Sequence, residues 1–221
     1  MFTNKVIGLS GVAGVGKDLF YQILSSRIPC VRVSLADNLK KEAIDWCVKH
    51  YNINPVNCSR EEKNSIRDFL VFHGTFKRKQ TQGRHWIQSL EKSMSELDLK
   101  DKNVVITDIR YDDYENDEVS WLKNEKEGIL VHISRTQDVP VGAINRVKDL
   151  KGKELEFDSG KAVVKENIPP ANSEEARNNP KLIKAANFHV EWPTIKGSHS
   201  YILGEAGVYV DEFLKYLNSG G

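Results

Sequence analysis

The sequence predicts an α/β fold of three layers, with a mainly parallel, five-stranded sheet between helices. Short apolar runs alternate with segments of helical periodicity, and this order produces a parallel sheet that helices cover on both faces. The first apolar run, Val6 to Leu9, leads directly into a glycine-rich turn. A chain of 221 residues suits one hydrophobic core, so residues 1–221 are expected to form a single domain.

The first half of the chain contains two predicted strands and four predicted helices. The run 6–9 is a buried strand, because it is short, apolar and bounded by polar residues and glycines. The first helix begins near Lys17 and ends before Pro29, since proline disfavours helical backbone in the preceding residue. Residues 31–35 alternate between apolar and polar side chains, which predicts a second strand. Three more helices form a helical region over about 37–100 that is too long for a simple crossover, at about 37–51, 60–72 and 84–97.

The second half adds three apolar runs with the length of strands. An acidic surface helix that contains Trp121 and Leu122 is predicted before the second of these runs, and an amphipathic helix over 205–217 closes the chain. Helices and strands thus continue to alternate, as a parallel sheet requires. The three predicted strands lie at 103–107, 129–133 and 188–192.

Hydrophobic periodicity fades between these last two strands. Over about 135–170, Lys, Gly, Asp and Pro dominate, so this segment is predicted to be a lid over one end of the sheet. After it, Asn172 can cap a helix, and Glu175 can reach back to the Asn172 amide.

Composition excludes several classes of function. The 32 Lys and Arg are matched by 31 Asp and Glu, for a net charge of +1, so nucleic acid is not an expected partner. No stretch approaches the about 18 apolar residues of a membrane span, and none has the pattern of a signal peptide, so no membrane partner is expected. Three cysteines without a Cys-x-x-Cys pair indicate a reducing compartment, and we expect the cytoplasm.

The strongest motif is the loop Gly11 to Lys17, which reads Gly-Val-Ala-Gly-Val-Gly-Lys between a strand and a helix. This spacing lets successive amides surround a polyphosphate, and the helix N-terminus adds roughly half a positive charge. A glycine-rich turn without a ligand is disfavoured because the strand, glycines, lysine and helix are all in register. A dinucleotide site needs another glycine order and would leave Lys17 unexplained. We therefore expect a P-loop NTPase fold that binds ATP through Gly11, Val12, Ala13, Gly14, Val15, Gly16, Lys17, Asp18 and Leu19.

Asp18 replaces the Ser or Thr that usually follows the lysine of this motif. A carboxylate there could hold Mg²⁺ directly or through water, because hard divalent cations prefer oxygen ligands. Alternatively, Asp18 caps the first helix, where the helix dipole favours an acid.

Asp108 and Arg110 follow the third strand, at the edge of a parallel sheet where ligands bind. Asp108 is thus a second candidate ligand for Mg²⁺, and Arg110 can direct its guanidinium at a second phosphate. The alternatives are a turn residue and a solvated surface arginine.

Four segments of the sequence resemble one known family. Residues 8–18, with Asp after the Gly-Lys pair, resemble the loop of bacteriophage deoxynucleoside monophosphate kinases. Segments 35–40, 72–78 with Trp86, and 107–111 are similar to further segments of that family, in the same order. The resemblance covers most of residues 5–135. Its departures are Leu19 and Ala13, where family members often have a hydroxyl residue and sometimes a basic residue.

The resemblance implies transfer of the γ-phosphoryl group of ATP to a deoxynucleoside 5'-monophosphate, with Mg²⁺ as cofactor. Such transfer needs alignment and charge neutralisation but no general base. The implied catalytic residues are Lys17, Arg110 and Arg135, and Arg146 in the lid would contact ATP. Trp86 would stack on the acceptor base or belong to the core. The implied acceptor site within 37–100 and beyond comprises Asp37, Lys40, Arg67, Arg78, Trp86 and Arg110.

Two other functions could use the same loop. One is a P-loop kinase for a different small phosphorylated metabolite. The other is a non-catalytic nucleotide-binding switch such as a GTPase, against which the sequence contains no Asn-Lys-x-Asp segment. A homodimer is one oligomeric state that the sequence permits. The cytoplasm would be that of the host if the gene belongs to a phage.

Overall fold

The computed structural model describes residues 3–140 and 163–220, and within them an α/β fold. Its sheet is mixed and has six strands rather than the predicted five, in the order β2-β3-β1-β4-β5, with β6 also paired to β4. The five predicted strands are mutually parallel, whereas β5 is antiparallel to β4. The strands are β1 Val6–Ser10, β2 Cys30–Val33, β3 Asn103–Ile106, β4 Ile129–Pro140, β5 Val163–Asn167 and β6 Phe188–Pro193.

The helices cover both faces of this sheet. Five helices, α2 to α6, lie between β2 and β3, where three were predicted, and the short α7 continues as a π-helical turn at Trp121–Glu125. None of the helices in residues 3–140 and 163–220 has the length and apolarity needed to cross a bilayer. The helices are α1 Lys17–Arg27, α2 Leu35–Glu42, α3 Ile44–Tyr51, α4 Arg60–Ser65, α5 Arg67–Gln80, α6 Arg84–Ser95, α7 Glu118–Ser120, α8 Ser173–Ala185 and α9 His199–Asn218.

Two apolar clusters hold the layers together. On one face, α1 and α9 pack on the sheet through Phe20 and Phe213, whose ring centroids are 5.6 Å apart. On the other face, Trp86 and Trp121 belong to a cluster with β2 and β3. Side chains alternate along a strand, and burying each large apolar side chain contributes about 1.5–3 kcal/mol. The sheet is therefore the middle of three layers.

The prediction that the acidic helix around Trp121 lies on the surface is wrong. Trp121 and Leu122 are completely buried, and the Trp121 indole N–H donates to Glu91 over 3.0 Å. Leu122 packs against Gly8 of β1, where a Cβ atom would lie 2.4 Å from its Cδ2. Acidic neighbours in the sequence concealed this buried turn, because Glu125 and Glu127 are exposed while Asp117 and Glu118 are buried with the two apolar side chains.

The predicted lid over 135–170 has strands at both ends. β4 continues through Arg135 to Pro140, and β5 returns antiparallel to it, with Thr136 opposite Asn167. Polar side chains in these strands weakened the hydrophobic alternation by which strands are recognised. Residues 141–162, which include Arg146, lie outside the described residues.

Candidate functional site

The loop between β1 and α1 is held in place by close contacts at two glycines. Gly11 and Gly16 have φ angles of 128° and 105°, values that L side chains rarely adopt. A Cβ atom at Gly11 would lie 2.2 Å from the Ile133 carbonyl oxygen, and one at Gly16 would lie 2.7 Å from the Trp192 ring. The loop is thus packed on β4 and β6, and its conformation requires glycine at both positions.

No side chain caps the N-terminus of α1. Gly16 is the N-cap residue, and the helix has no capping hydrogen bond from a side chain. Asp18 lies in the first helical turn and lines the cleft described below, so the structure gives no support to the capping alternative for Asp18. Uncapped amides at a helix N-terminus, together with the helix dipole, suit an anion such as phosphate.

Lys17 folds back over the loop. Its Nζ donates to the carbonyl oxygens of Gly11 and Val12 over 2.7 and 2.9 Å. Burial, with a smaller effect from the charge of Arg110, lowers the pKa of Lys17 to about 8. The ammonium group is therefore poorly neutralised, and a phosphate oxygen would be a better partner than two carbonyl groups.

A carboxylate from α8 contacts the same loop. Oε2 of Glu175 accepts hydrogen bonds from the amides of Ala13 and Ala171, over 3.2 and 3.0 Å, and Oε1 lies 3.6 Å from Arg110 Nη1. Asn172 caps α8 as predicted, by accepting from the Glu175 amide over 2.9 Å. Glu175 was predicted only as part of this cap, and it reaches the Ala171 amide rather than that of Asn172.

Asp108 connects the end of β3 to the start of α2. Its carboxylate is 6 % exposed. Oδ1 accepts from the Leu35 amide over 2.9 Å, and Oδ2 accepts from the Ala36 amide and the Ser34 hydroxyl over 2.7 and 2.9 Å. Three of about four acceptor positions of this carboxylate are thus used by the start of α2.

The described residues fit a metal that arrives with a nucleotide rather than one bound by protein alone. In residues 3–140 and 163–220, no three His, Cys, Asp or Glu side chains converge as a metal site would require. Asp18 and Asp108 both line the cleft. Mg²⁺ is commonly held by one or two carboxylates together with waters and substrate phosphates, so these two residues suffice for a Mg²⁺ site completed by ATP.

One cleft of about 480 Å³ joins the loop to all six predicted acceptor residues. The loop contributes its first four residues, and Lys17 and Asp18 follow. The six acceptor residues are Asp37, Lys40, Arg67, Arg78, Trp86 and Arg110.

The far end of the cleft is rich in cations. Arg32 and Lys40 donate to the Asp37 carboxylate, each over 2.9 Å. Burial acts to raise the pKa of Asp37, but these bonds outweigh it and hold the pKa below its ordinary value. Lys63, which the sequence analysis missed, also lines the cleft. Burial and the charges of Lys40 and Arg67 lower the pKa of Lys63, so Lys63 and Arg67 add positive charge beyond the two cations that Asp37 pairs with.

Arg78 and Trp86 form the floor of this end and are each 3 % exposed. Arg78 Nη2 donates to Asp117 Oδ2 over 2.5 Å, and its guanidinium lies 3.5 Å from the Tyr111 ring centroid. The Trp86 indole donates to the Gly74 carbonyl over 3.0 Å. Both side chains are therefore fixed, and Trp86 belongs to the core as well as to the cleft wall.

Of the predicted site residues that the structure describes, four do not line the cleft: Val15, Gly16, Leu19 and Arg135. Val15 is buried in the core under the loop, and Leu19 packs against that core. Arg135 lies on β4, and its buried Nε has no hydrogen-bond partner among the described residues. A glycine-rich motif identifies a contiguous segment, but only some of its side chains face the ligand side.

No protein-family model matches the chain. A search of curated proteins also gives no significant match. Among solved structures, the chain is similar to dephospho-CoA kinase from Campylobacter jejuni, with 14% identity over 99% of both chains and a TM-score of 0.46. It is also similar to shikimate kinase from Aquifex aeolicus, with 14% identity over 93% of this chain and 96% of the other and a TM-score of 0.35. These likenesses are too weak to carry a functional argument.

Proposed function

We propose that this protein is an ATP-dependent P-loop kinase that phosphorylates a small phosphorylated acceptor, and that the acceptor is a deoxynucleoside 5'-monophosphate. The observation that carries this proposal is the single cleft, which has a phosphate-binding loop at one end and a cation cluster at the other. A nucleotide switch needs only the first end. Two anion-binding ends in one cleft suit transfer between two phosphate groups.

The donor end is formed by Gly11 to Lys17. Its amides and the N-terminus of α1 would surround the ATP phosphates, with Lys17 directed at the γ-phosphoryl group. When bound, Mg²⁺ would neutralise phosphate charge beside Asp18 and Asp108. Asp108 also fixes the start of α2, which carries Asp37 and Lys40 to the acceptor end.

Arg110 lies between the two ends of the cleft. Its positive charge contributes to lowering the pKa of Lys17 at the loop and the pKa of Lys63 at the cation cluster. We therefore assign Arg110 to the transferred phosphoryl group, where negative charge is greatest when both substrates are bound. The acceptor oxygen is already anionic, so the reaction requires no general base.

The second candidate is a kinase for a different small anionic metabolite. The cation cluster of Lys40, Lys63 and Arg67 favours it equally, because a cation cluster recognises a phosphate or carboxylate whatever the rest of the acceptor. The preference for a deoxynucleotide rests on the sequence segments described above.

An acceptor panel tests the proposal. ADP release from ATP and Mg²⁺ is measured with dAMP, dGMP, dCMP, dTMP, their ribose forms, dephospho-CoA, shikimate and no acceptor. We expect release to require an acceptor and to be fastest with a deoxynucleoside monophosphate. Fastest release with a different metabolite would favour the second candidate, and equal release without acceptor would contradict both.

A further inference from the structure

Three buried polar side chains from separate helices line the acceptor end of the cleft. They are Arg78 of α5, Glu118 of α7 and Asn178 of α8, which are 3 %, 3 % and 2 % exposed. Buried polar atoms are normally hydrogen-bonded. Within the part of the chain that the structure describes, two of these side chains have a buried atom without a hydrogen-bond partner.

The Asn178 amide has a fixed orientation. Its Nδ2 donates to the Glu174 carbonyl over 3.0 Å, and only the nitrogen of an amide can donate. The other terminal atom of the side chain is therefore Oδ1, which is buried and has no hydrogen-bond partner in residues 3–140 and 163–220. Asn178 thus presents an unused acceptor, which a ligand N–H group can satisfy.

Arg78 presents an unused donor. Asp117 and the Tyr111 ring fix its guanidinium, so it cannot turn to solvent. Its Nε is buried and has no hydrogen-bond partner among the described residues, and Glu118 Oε1 is 4.0 Å away. A ligand atom with a lone pair can accept from Nε.

Glu118 makes the recess unsuitable for a phosphate. Its Oε2 accepts from the amides of Arg110 and Tyr111 over 2.6 and 3.1 Å. Burial raises the pKa of Glu118 to about 8. The charge of Arg78 opposes this shift, whereas the charges of Asp117 and Asp108 add to it. Glu118 offers no positive charge to an added anion in either protonation state, the Asn178 oxygen repels one, and Asp117 already pairs with Arg78, so a neutral group fits better than a second phosphate.

We propose that this recess, which Asn178, Arg78 and Glu118 form, binds the hydrogen-bonding edge of the acceptor's nucleobase. A base N–H donates to Asn178 Oδ1, and a neighbouring base lone pair accepts from Arg78 Nε. All natural bases carry such a donor and acceptor side by side. The cleft wall also contains the apolar side chains Leu70, Trp86 and Leu182, which suit a flat ring. The inference rests on the proposed function and names Asn178 as a residue that determines acceptor specificity.

Equilibrium binding tests this inference without turnover. Affinities of dAMP, dGMP, dCMP, dTMP and the base-free 2-deoxyribose 5-phosphate are measured by calorimetry for the unaltered protein, Asn178→Ala and Asn178→Leu. The Leu variant removes the acceptor oxygen while keeping the number and branching of the side-chain heavy atoms. Asn124→Ala is the control, because Asn124 is exposed and bonds only to Ser120 among the described residues. ATP affinity and thermal unfolding verify the fold of each variant.

We expect both Asn178 variants to bind at least one monophosphate about tenfold more weakly, since a site built to hydrogen-bond a ligand discriminates against lost partners. Binding of 2-deoxyribose 5-phosphate should stay the same. One outcome overturns the recess inference while the proposed function stands. In that outcome, the unaltered protein binds monophosphates more tightly than the sugar phosphate, and the folded Asn178 variants bind the monophosphates with the same affinity as the unaltered protein. If no monophosphate binds, both are overturned.

Discussion

Glu175 of α8 accepts a hydrogen bond from the amide of Ala13 in the phosphate-binding loop, over 3.2 Å and across 162 residues of sequence. Oε1 of the same carboxylate lies 3.6 Å from Arg110. The carboxylate thus uses an amide and a cation that a bound polyphosphate would need. ATP binding must displace Glu175, and α8 also carries Asn178 to the acceptor end.

Glu175→Gln should therefore tighten ATP binding. The variant removes a negative charge that competes with phosphate, and a charged hydrogen bond contributes about 1.5–3 kcal/mol, part of which the amide oxygen retains. We expect the dissociation constant for ATP with Mg²⁺ to fall between about threefold and tenfold, as measured by calorimetry. Glu205→Gln is the control, since Glu205 is exposed on α9 and does not line the cleft. An equal effect in both variants would contradict a competing role for Glu175.

ATP affinity should fall as pH rises through about 8. Lys17 has a pKa of about 8 in the free protein, whereas a bound phosphate favours its charged form. Binding above this pH must therefore take up a proton, and affinity should weaken by up to about tenfold per pH unit. Calorimetry between pH 7 and 9 measures this slope. Lys17→Arg stays charged throughout, and an equally steep slope in that variant would exclude Lys17 as the titrating group.

Asp108→Asn should destabilise the fold whether or not Mg²⁺ is present. The carboxylate accepts three hydrogen bonds from residues 34–36. In asparagine, the amide NH₂ group would lie opposite at least one of these donors and could not accept its hydrogen bond. An unsatisfied buried group costs about 1–3 kcal/mol. Urea unfolding measures the change, with Asp101→Asn as the exposed control. Loss of stability only in the presence of Mg²⁺ would instead indicate a metal ligand without a structural role.

Asp18→Asn should impair transfer but leave stability within about 0.5 kcal/mol. Asp18 makes no capping hydrogen bond, so folding does not depend on its carboxylate, whereas a Mg²⁺ site does. Turnover across Mg²⁺ concentrations and urea unfolding are the measurements. Asp45→Asn is matched, since Asp45 also lies in a first helical turn but away from the cleft. Normal turnover of Asp18→Asn at every Mg²⁺ concentration would remove Asp18 from the site.

The donor end of the cleft could be predicted from the sequence because its residues are contiguous. Gly11 to Lys17 carry their geometry in local backbone preferences, and Asp108 follows from its place at the end of an apolar strand. Glu175 and Asn178 could not be predicted as site residues. Tertiary packing brings α8 to the loop, and no local pattern records that contact. Likewise, β5 is polar, and its pairing with β4 depends on a partner rather than on its own hydrophobic alternation.

The most direct test of a kinase that acts on a monophosphate is transfer of label. ATP labelled at the γ-phosphate is incubated with Mg²⁺ and each deoxynucleoside monophosphate, and the products are separated. We predict that label appears in a deoxynucleoside diphosphate, and that Lys17→Ala lowers this rate by at least about 10²-fold while exposed Lys79→Ala does not. Label found only in inorganic phosphate, at a rate independent of the monophosphate, would contradict the account.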